Sequence, residues 1–143
     1  MNTKRLHKVF LLAIIFLLIF PLQHANQAAN AVTATQRYVA TDGVDNPDCS
    51  NSSAPCLTLA YAVSQSTAGD AINIAAGVYS VNVTIAKSLT IQGAGMNATI
   101  LDGGGSAKVL DLTAGPVTIN DLTIKNGDSK DEYAGGIKSS GVN

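Results

Sequence analysis

The stretch KSLTIQGAGMNATILDGGG, Lys87 to Gly105, holds two short apolar runs, Leu89-Thr90-Ile91 and Thr99-Ile100-Leu101, set among glycines and small polar residues. No helix-length segment separates them. The alternation in Leu89-Thr90-Ile91 is that of a strand with one buried face. The texture continues on both sides. Ile72-Asn73-Ile74, Val81 to Ile85, Val109 to Leu112, Val117-Thr118-Ile119 and Leu122-Thr123-Ile124 read as strands. Gly77, Gly93, Gly95, Gly103, Gly104, Gly105, Gly115 and Gly127 punctuate them as corners. Strands of three or four residues fall short of the mean of about 5–6 and argue against a sandwich. No helices alternate with them, which excludes βαβ units.

The chain also echoes itself. VTIAKSLTIQG, Val83 to Gly93, reappears as VTINDLTIKNG, Val117 to Gly127, with one residue fewer between its two halves. Self-similarity marks a repeat architecture, and a unit made only of strands and turns points to a β-solenoid. In such a fold Ile, Leu and Val point inward and stack on their equivalents in the next pass, while Thr faces out. The fold class expected is therefore all-β, a parallel β-helix with glycine corners.

Upstream, Arg37 to Thr41 reads as a strand. The one helical candidate is Leu57 to Thr67, where Leu57, Ala60, Tyr61 and Ser64 share a face with Val63 beside them, ended by Gly69-Asp70. It is short enough to need packing to hold it. Further upstream, Lys4, Arg5 and Lys8 precede twelve unbroken apolar residues, Val9 to Phe20, stopped by Pro21. That is a basic region and an apolar core too short for the ~20 residues of a membrane-spanning helix. Ala29-Asn30-Ala31 fits a signal-peptidase site, with Val32-Thr33-Ala34 as a second option; an uncleaved anchor is the alternative. On either reading the rest is exported, and the membrane is met only through the leader if it is retained.

Cleavage after Ala31 leaves 112 of the 143 residues, enough for one domain. It also removes three basic residues, leaving six against ten acidic and a net charge of −4. This argues against nucleic acid or an anionic membrane as a partner. His7 and His24 both lie in the leader, so the exported part has no histidine, and Arg37 is its one arginine. Cys49 and Cys56 flank a loop-like stretch; in an exported chain they read as a disulfide, with free thiols as the alternative.

YVATDG (Tyr38 to Gly43), APCLTLAYAV (Ala54 to Val63) and GDAINIAAGVY (Gly69 to Tyr79) resemble the N-terminal start of bacterial right-handed parallel β-helix proteins, a broad group of pectin-lyase-like fold. SLTIQGAG (Ser88 to Gly95), DGGG (Asp102 to Gly105) and LTIKNG (Leu122 to Gly127) resemble its first coils. AGGI (Ala134 to Ile137) resembles the Gly-Gly-Ile repeat of polymorphic outer-membrane adhesin-like proteins. The likeness spans Tyr38 to Asn143 and implies a right-handed β-helix whose short helix caps the first coil. Members of the group run on for many coils past that motif. The expectation is thus a truncated chain: residues 1–31 signal peptide, 32–36 linker, and 37–143 the N-terminal cap and first coils. Further coils of the same protein, or self-association through the open C-terminal end, would cover the last strands.

The fold hosts lyases, hydrolases and adhesins alike, so function must come from a site. Lyases of this fold bind calcium through carboxylates and use an arginine or lysine base; related hydrolases cluster aspartates with histidine and arginine. No catalytic residue is assigned here, because Arg37 precedes the helix and Lys87, Lys108 and Lys125 are scattered near strand ends. Two loops are candidate calcium sites: Asp42, Asp45 and Asp48, and Asn126, Asp128, Asp131 and Glu132. Neither matches a known calcium-loop pattern, and the same residue types serve ordinary turns. No cofactor besides calcium is expected. Asn51, Asn82 and Asn97 lie in N-x-[ST] sequons. Two functions fit. One is an exported, non-catalytic surface or secreted module, structural, adhesive or glycan-binding, with a polysaccharide or cell-surface glycan as partner. The other is the start of a polysaccharide lyase or glycoside hydrolase whose active site lies beyond residue 143.

Overall fold

A computed structural model of the chain describes residues 33–45, 48–129 and 135–140; the expected signal peptide lies outside them. The strands are β1 (Gln36–Val39), β2 (Ala71–Ile74), β3 (Gly77–Ser80), β4 (Val83–Ile85), β5 (Leu89–Gly93), β6 (Thr99–Asp102), β7 (Leu110–Leu112), β8 (Val117–Asn120), β9 (Thr123–Lys125) and β10 (Ile137–Ser139). One helix, α1 (Leu59–Gln65), lies between β1 and β2. The protein is thus mainly β.

All strand pairs are parallel. They form three sheets, in the orders β1-β2-β5-β8, β3-β6-β9 and β4-β7-β10. From β2 onward the chain visits the first, second and third sheet in turn, three times over. Equivalent side chains therefore stand in columns. In the first sheet Ile72, Ile91 and Ile119 are in register and Arg37 heads the same column; in the second Tyr79, Leu101 and Ile124 align; in the third Val83, Leu110 and Ile137 align. The middle members Ile91, Leu101 and Leu110 are all fully buried. The core is thus built of inward columns of branched aliphatics, which fill space between parallel sheets well.

The echo between Val83 and Val117 leaves the coil register open, and the strand pairing fixes it. Val83-Thr84-Ile85 pairs with Leu110 to Leu112, and it is Leu89-Thr90-Ile91 that lies on Val117-Thr118-Ile119. Gly77, expected to be a corner, opens strand β3 (Gly77–Ser80), whose Tyr79 is buried. The helix is shorter than Leu57 to Thr67; it buries Leu59, Ala62 and Val63, packs Tyr61 partly against the core, and leaves Leu57, Ala60 and Ser64 exposed. Its start is fixed by Thr58, whose hydroxyl accepts from Tyr61 N at 3.2 Å. Asp45 in turn braces Thr58, accepting from its backbone N–H at 2.9 Å and its hydroxyl at 2.7 Å. At the other end the Lys87 ammonium donates to Ser66 O at 2.7 Å and Val63 O at 3.2 Å. It adds a donor to the carbonyls at the helix C-terminus and opposes the negative end of its dipole.

Glycine is demanded at two corners. Gly115 has φ +72°, and Gly93 lies so close to the next strand that a Cβ there would meet Asp121 O at 2.2 Å. No helix among the described residues is long and apolar enough to cross a membrane. That says nothing of a β-barrel.

Candidate functional site

The first-sheet end of the molecule carries a polar knot and a groove. The knot joins three segments. Asp70, fully buried, accepts from Arg37 Nε at 3.2 Å and Nη2 at 3.1 Å, from Thr67 N at 2.8 Å and from Thr35 N at 2.9 Å. Arg37 Nη1 also donates to the carbonyl of Asp48. Burial pushes the Asp70 carboxyl up, but the hydrogen bonds from Thr67, Thr35 and Arg37 outweigh it and hold Asp70 below the usual carboxylate range. Arg37 is the one arginine outside the expected leader. Its guanidinium is committed to this pair at the base of an isoleucine column.

The Cys49–Cys56 disulfide forms, with Cα atoms 5.2 Å apart and both residues buried. Its loop lies along the outer edge of β1: Tyr38 N donates to Cys49 O at 2.8 Å, Cys56 N to Tyr38 O at 2.9 Å and Ala40 N to Cys56 O at 2.9 Å. The bridge thus closes a sheet edge that would otherwise be open to pairing.

A groove of about 320 Å³ runs beside that loop over the outward face of the first sheet. One wall is a column of side chains in register across three strands: Tyr38 on β1, Asn73 on β2 and Gln92 on β5. Ser52 and Pro55 of the disulfide loop line the opposite side, and Ala75 lies on the groove lining at the strand ends. All three wall residues are half-exposed. Asn73 Nδ2 donates to Gln36 Oε1 at 2.7 Å; Gln92 Nε2 donates to Gly93 O at 2.9 Å and to Asp121 Oδ2 at 2.8 Å. Neighbouring strands lie about 4.8 Å apart, so the three polar heads recur at that interval. A larger hollow of about 640 Å³ follows the disulfide loop. Of its lining, the Asp48 carboxylate accepts from Ser50 and the Asn51 side chain accepts from Ser53 N.

In the first candidate calcium loop Asp45 and Asp48 serve a helix cap and a local turn. Asp45 braces the helix start and Asp48 accepts from Ser50 N at 3.0 Å; that contact and the Ser50 hydroxyl hold the Asp48 carboxyl low. Asp42 lies exposed near Tyr79, whose phenol is pushed up by burial and then by the Asp42 charge. In the second loop Asn126 donates to both carboxylate oxygens of Asp102 at 3.0 Å, and Asp128 N donates to Ala107 O at 2.9 Å. Asp131 and Glu132 lie outside the described residues. Among the described residues no group of three or more His, Cys, Asp or Glu side chains is placed to hold a metal ion. Lys125 lies 3.4 Å from Asp102, and Lys108 lies 3.9 Å from Asp111. Asn51, Asn82 and Asn97 are all exposed.

Sequence reasoning missed the groove. Its wall comes from residues 38, 73 and 92, which only the strand register brings together. Asn73 lies between Ile72 and Ile74, Tyr38 between Arg37 and Val39, and Gln92 between Ile91 and Gly93, and without register all three read as ordinary outward decoration. Comparisons with protein-family models, with curated proteins and with solved structures found no match.

Proposed function

We propose that this chain is an exported, non-catalytic module of right-handed parallel β-helix (β-solenoid) form, at a cell surface or secreted, with a structural, adhesive or glycan-binding role. The solenoid reading is supported by the threefold return of the chain to the same three parallel sheets and by the right-handed bias of parallel crossovers. In it α1 is the N-terminal cap: it packs against β1, β2 and β4 and turns Leu59, Ala62 and Val63 to the core. At the other end β8, β9 and β10 would meet further coils of the same protein or a second copy. Export rests on the leader-like sequence and on the disulfide, which persists in oxidising compartments.

The observation that carries a binding role is the groove walled by Tyr38, Asn73 and Gln92, an aromatic body with amides at strand spacing. Such a surface suits an extended, hydroxyl-bearing polymer. The test is a set of immobilised polysaccharides presented to the purified protein, with the ultraviolet absorbance of unsaturated products followed in parallel, with and without calcium. Binding without product formation is expected. Product formation that survives repurification would make the chain an enzyme and overturn the non-catalytic reading.

A further inference from the structure

The hydrogen-bond polarity of the groove says more than its shape. Asn73 and Gln92 each have a bonded and a free side-chain atom. The bonded partners are Gln36 Oε1 and Arg37 O for Asn73, and Gly93 O and Asp121 Oδ2 for Gln92. The carbonyl and carboxylate oxygens among them accept hydrogen bonds and cannot donate. The bonded atoms of Asn73 and Gln92 must therefore be their NH₂ groups, and the flip ambiguity of side-chain amides is resolved by the network itself. What each amide leaves free is its carbonyl oxygen. Among the described residues neither Asn73 Oδ1, nor Gln92 Oε1, nor the Tyr38 hydroxyl has a hydrogen-bond partner. The wall thus offers two acceptors and one hydroxyl that can act either way.

Charge points the same way. No Lys, Arg, Asp or Glu lines the groove. Arg37, on the strand that carries Tyr38, faces inward and is held by Asp70. The nearest charge that touches the wall is negative, the Asp121 carboxylate on Gln92. An ionised carboxylate on a ligand is an acceptor only. It would find no cation here, few free donors and a like charge beside it. Sugar hydroxyls, which donate, meet free acceptors instead, and the Tyr38 ring adds an apolar face for the CH side of a sugar.

We infer that this groove is a binding site for an uncharged, hydroxyl-rich glycan and that it discriminates against polyuronates. The inference rests on the glycan-binding reading above and sharpens it to a substrate class and three residues. Tyr38 is the platform, and Asn73 and Gln92 are the acceptors that select donors over carboxylates.

The experiment is titration calorimetry of the full exported protein with neutral cello-, manno- and galacto-oligosaccharides and, separately, with oligogalacturonate. It is repeated on Tyr38→Ala and Gln92→Arg, each checked by thermal melting. A neutral oligosaccharide should bind more tightly than oligogalacturonate. Tyr38→Ala should weaken that binding about tenfold. Gln92→Arg should weaken it too while improving binding of oligogalacturonate. Should Tyr38→Ala melt early, Tyr38→Phe serves in its place, keeping the ring and removing the hydroxyl, with a smaller loss expected. Tighter binding of oligogalacturonate by the parent overturns this inference and leaves the glycan-binding reading standing. So does neutral binding that none of the variants alters, since the glycan would then sit elsewhere. Absence of binding to any of these sugars overturns both.

Discussion

Arg37 and Asp70 lie 33 residues apart and form the one ion pair among the described residues whose two members are both buried. Two charges removed from water are tolerated only when their hydrogen-bonding groups are matched. Here the Asp70 carboxylate is met by two backbone N–H groups and by Arg37. Replacing Asp70 with Asn keeps the shape and strands a buried guanidinium, so the variant should lose about 3–5 kcal/mol, measured by denaturant unfolding. The pair also dictates a pH dependence. The folded carboxyl titrates below its unfolded value of 3.8. Its contribution is therefore fully present above that value and drains away as pH falls through the lower, folded one. Melting temperature should fall on acidification below 3.8, and fall less in Asp70→Asn, which has nothing left to protonate there. Asp48 and Asp102 are also held low, but they are common to both proteins and cancel in the difference. Parallel decline of parent and variant would remove Asp70 from the acid response. None of this was legible in the sequence. Asp70 reads there as the end of a helix and Arg37 as a lone cation; their meeting depends on β1 pairing with β2.

The helix shows which part of an element a sequence can disclose. Its existence followed from the pattern, but its buried face did not. Leu57-Thr58-Leu59-Ala60-Tyr61-Ala62-Val63 has apolar residues at nearly every position, so periodicity alone could not choose a face. The choice was made by Thr58, whose cap shifts the first helical residue to Leu59 and leaves Leu57 outside, 43% exposed. Leu59→Asp or Val63→Asp should therefore cost about 4 kcal/mol or more, whereas Leu57→Asp should stay within about 0.5 kcal/mol. Thermal melts of the three variants decide this; a large loss in Leu57→Asp would mean the helix is rotated from its described position. The neighbouring loop was easier to read, since two cysteines behind a leader-like segment read as a disulfide. With a sequence separation of 7, the bond should contribute about 2–2.5 kcal/mol by restricting the unfolded chain. A Cys49→Ser/Cys56→Ser double variant should lose that amount and open the β1 edge the loop covers. An unchanged unfolding midpoint would show that the backbone hydrogen bonds to Cys49 and Cys56 hold the loop alone.

At the scale of the whole molecule the two ends of the strand stack are unlike. On the leading side, β1 is covered by the disulfide loop, β4 by α1, and Thr41 comes close to Gly77 at the start of β3. On the trailing side β8, β9 and β10 each pair along one edge only among the described residues. Burial follows this asymmetry. Ile91, Leu101 and Leu110 are fully buried, while their trailing partners Ile119 and Ile124 are half-exposed and Ile137 is 40% exposed. Apart from β3 and β10, the strands that make up this stack could be read from the sequence, because alternation is local. The stacking register could not, because passes of unequal length make the best sequence echo pair strands of different sheets. In a structure whose repeats are stabilised by nearest neighbours, unfolding should start where a neighbour is missing. Native-state hydrogen exchange should therefore be graded along the stack. Amides of β2, β5 and β6 that bond to strands on both sides should exchange only with global unfolding. Those of β8, β9 and β10 should exchange sooner through local fraying, and a glycan bound in the groove, which lies over β1, β2 and β5, should slow the first group and leave the second unchanged. Uniform protection from β2 to β10 would mean that the trailing edges are paired in solution, by a second copy or by other chain, and size-exclusion chromatography across a range of concentrations would then distinguish the two.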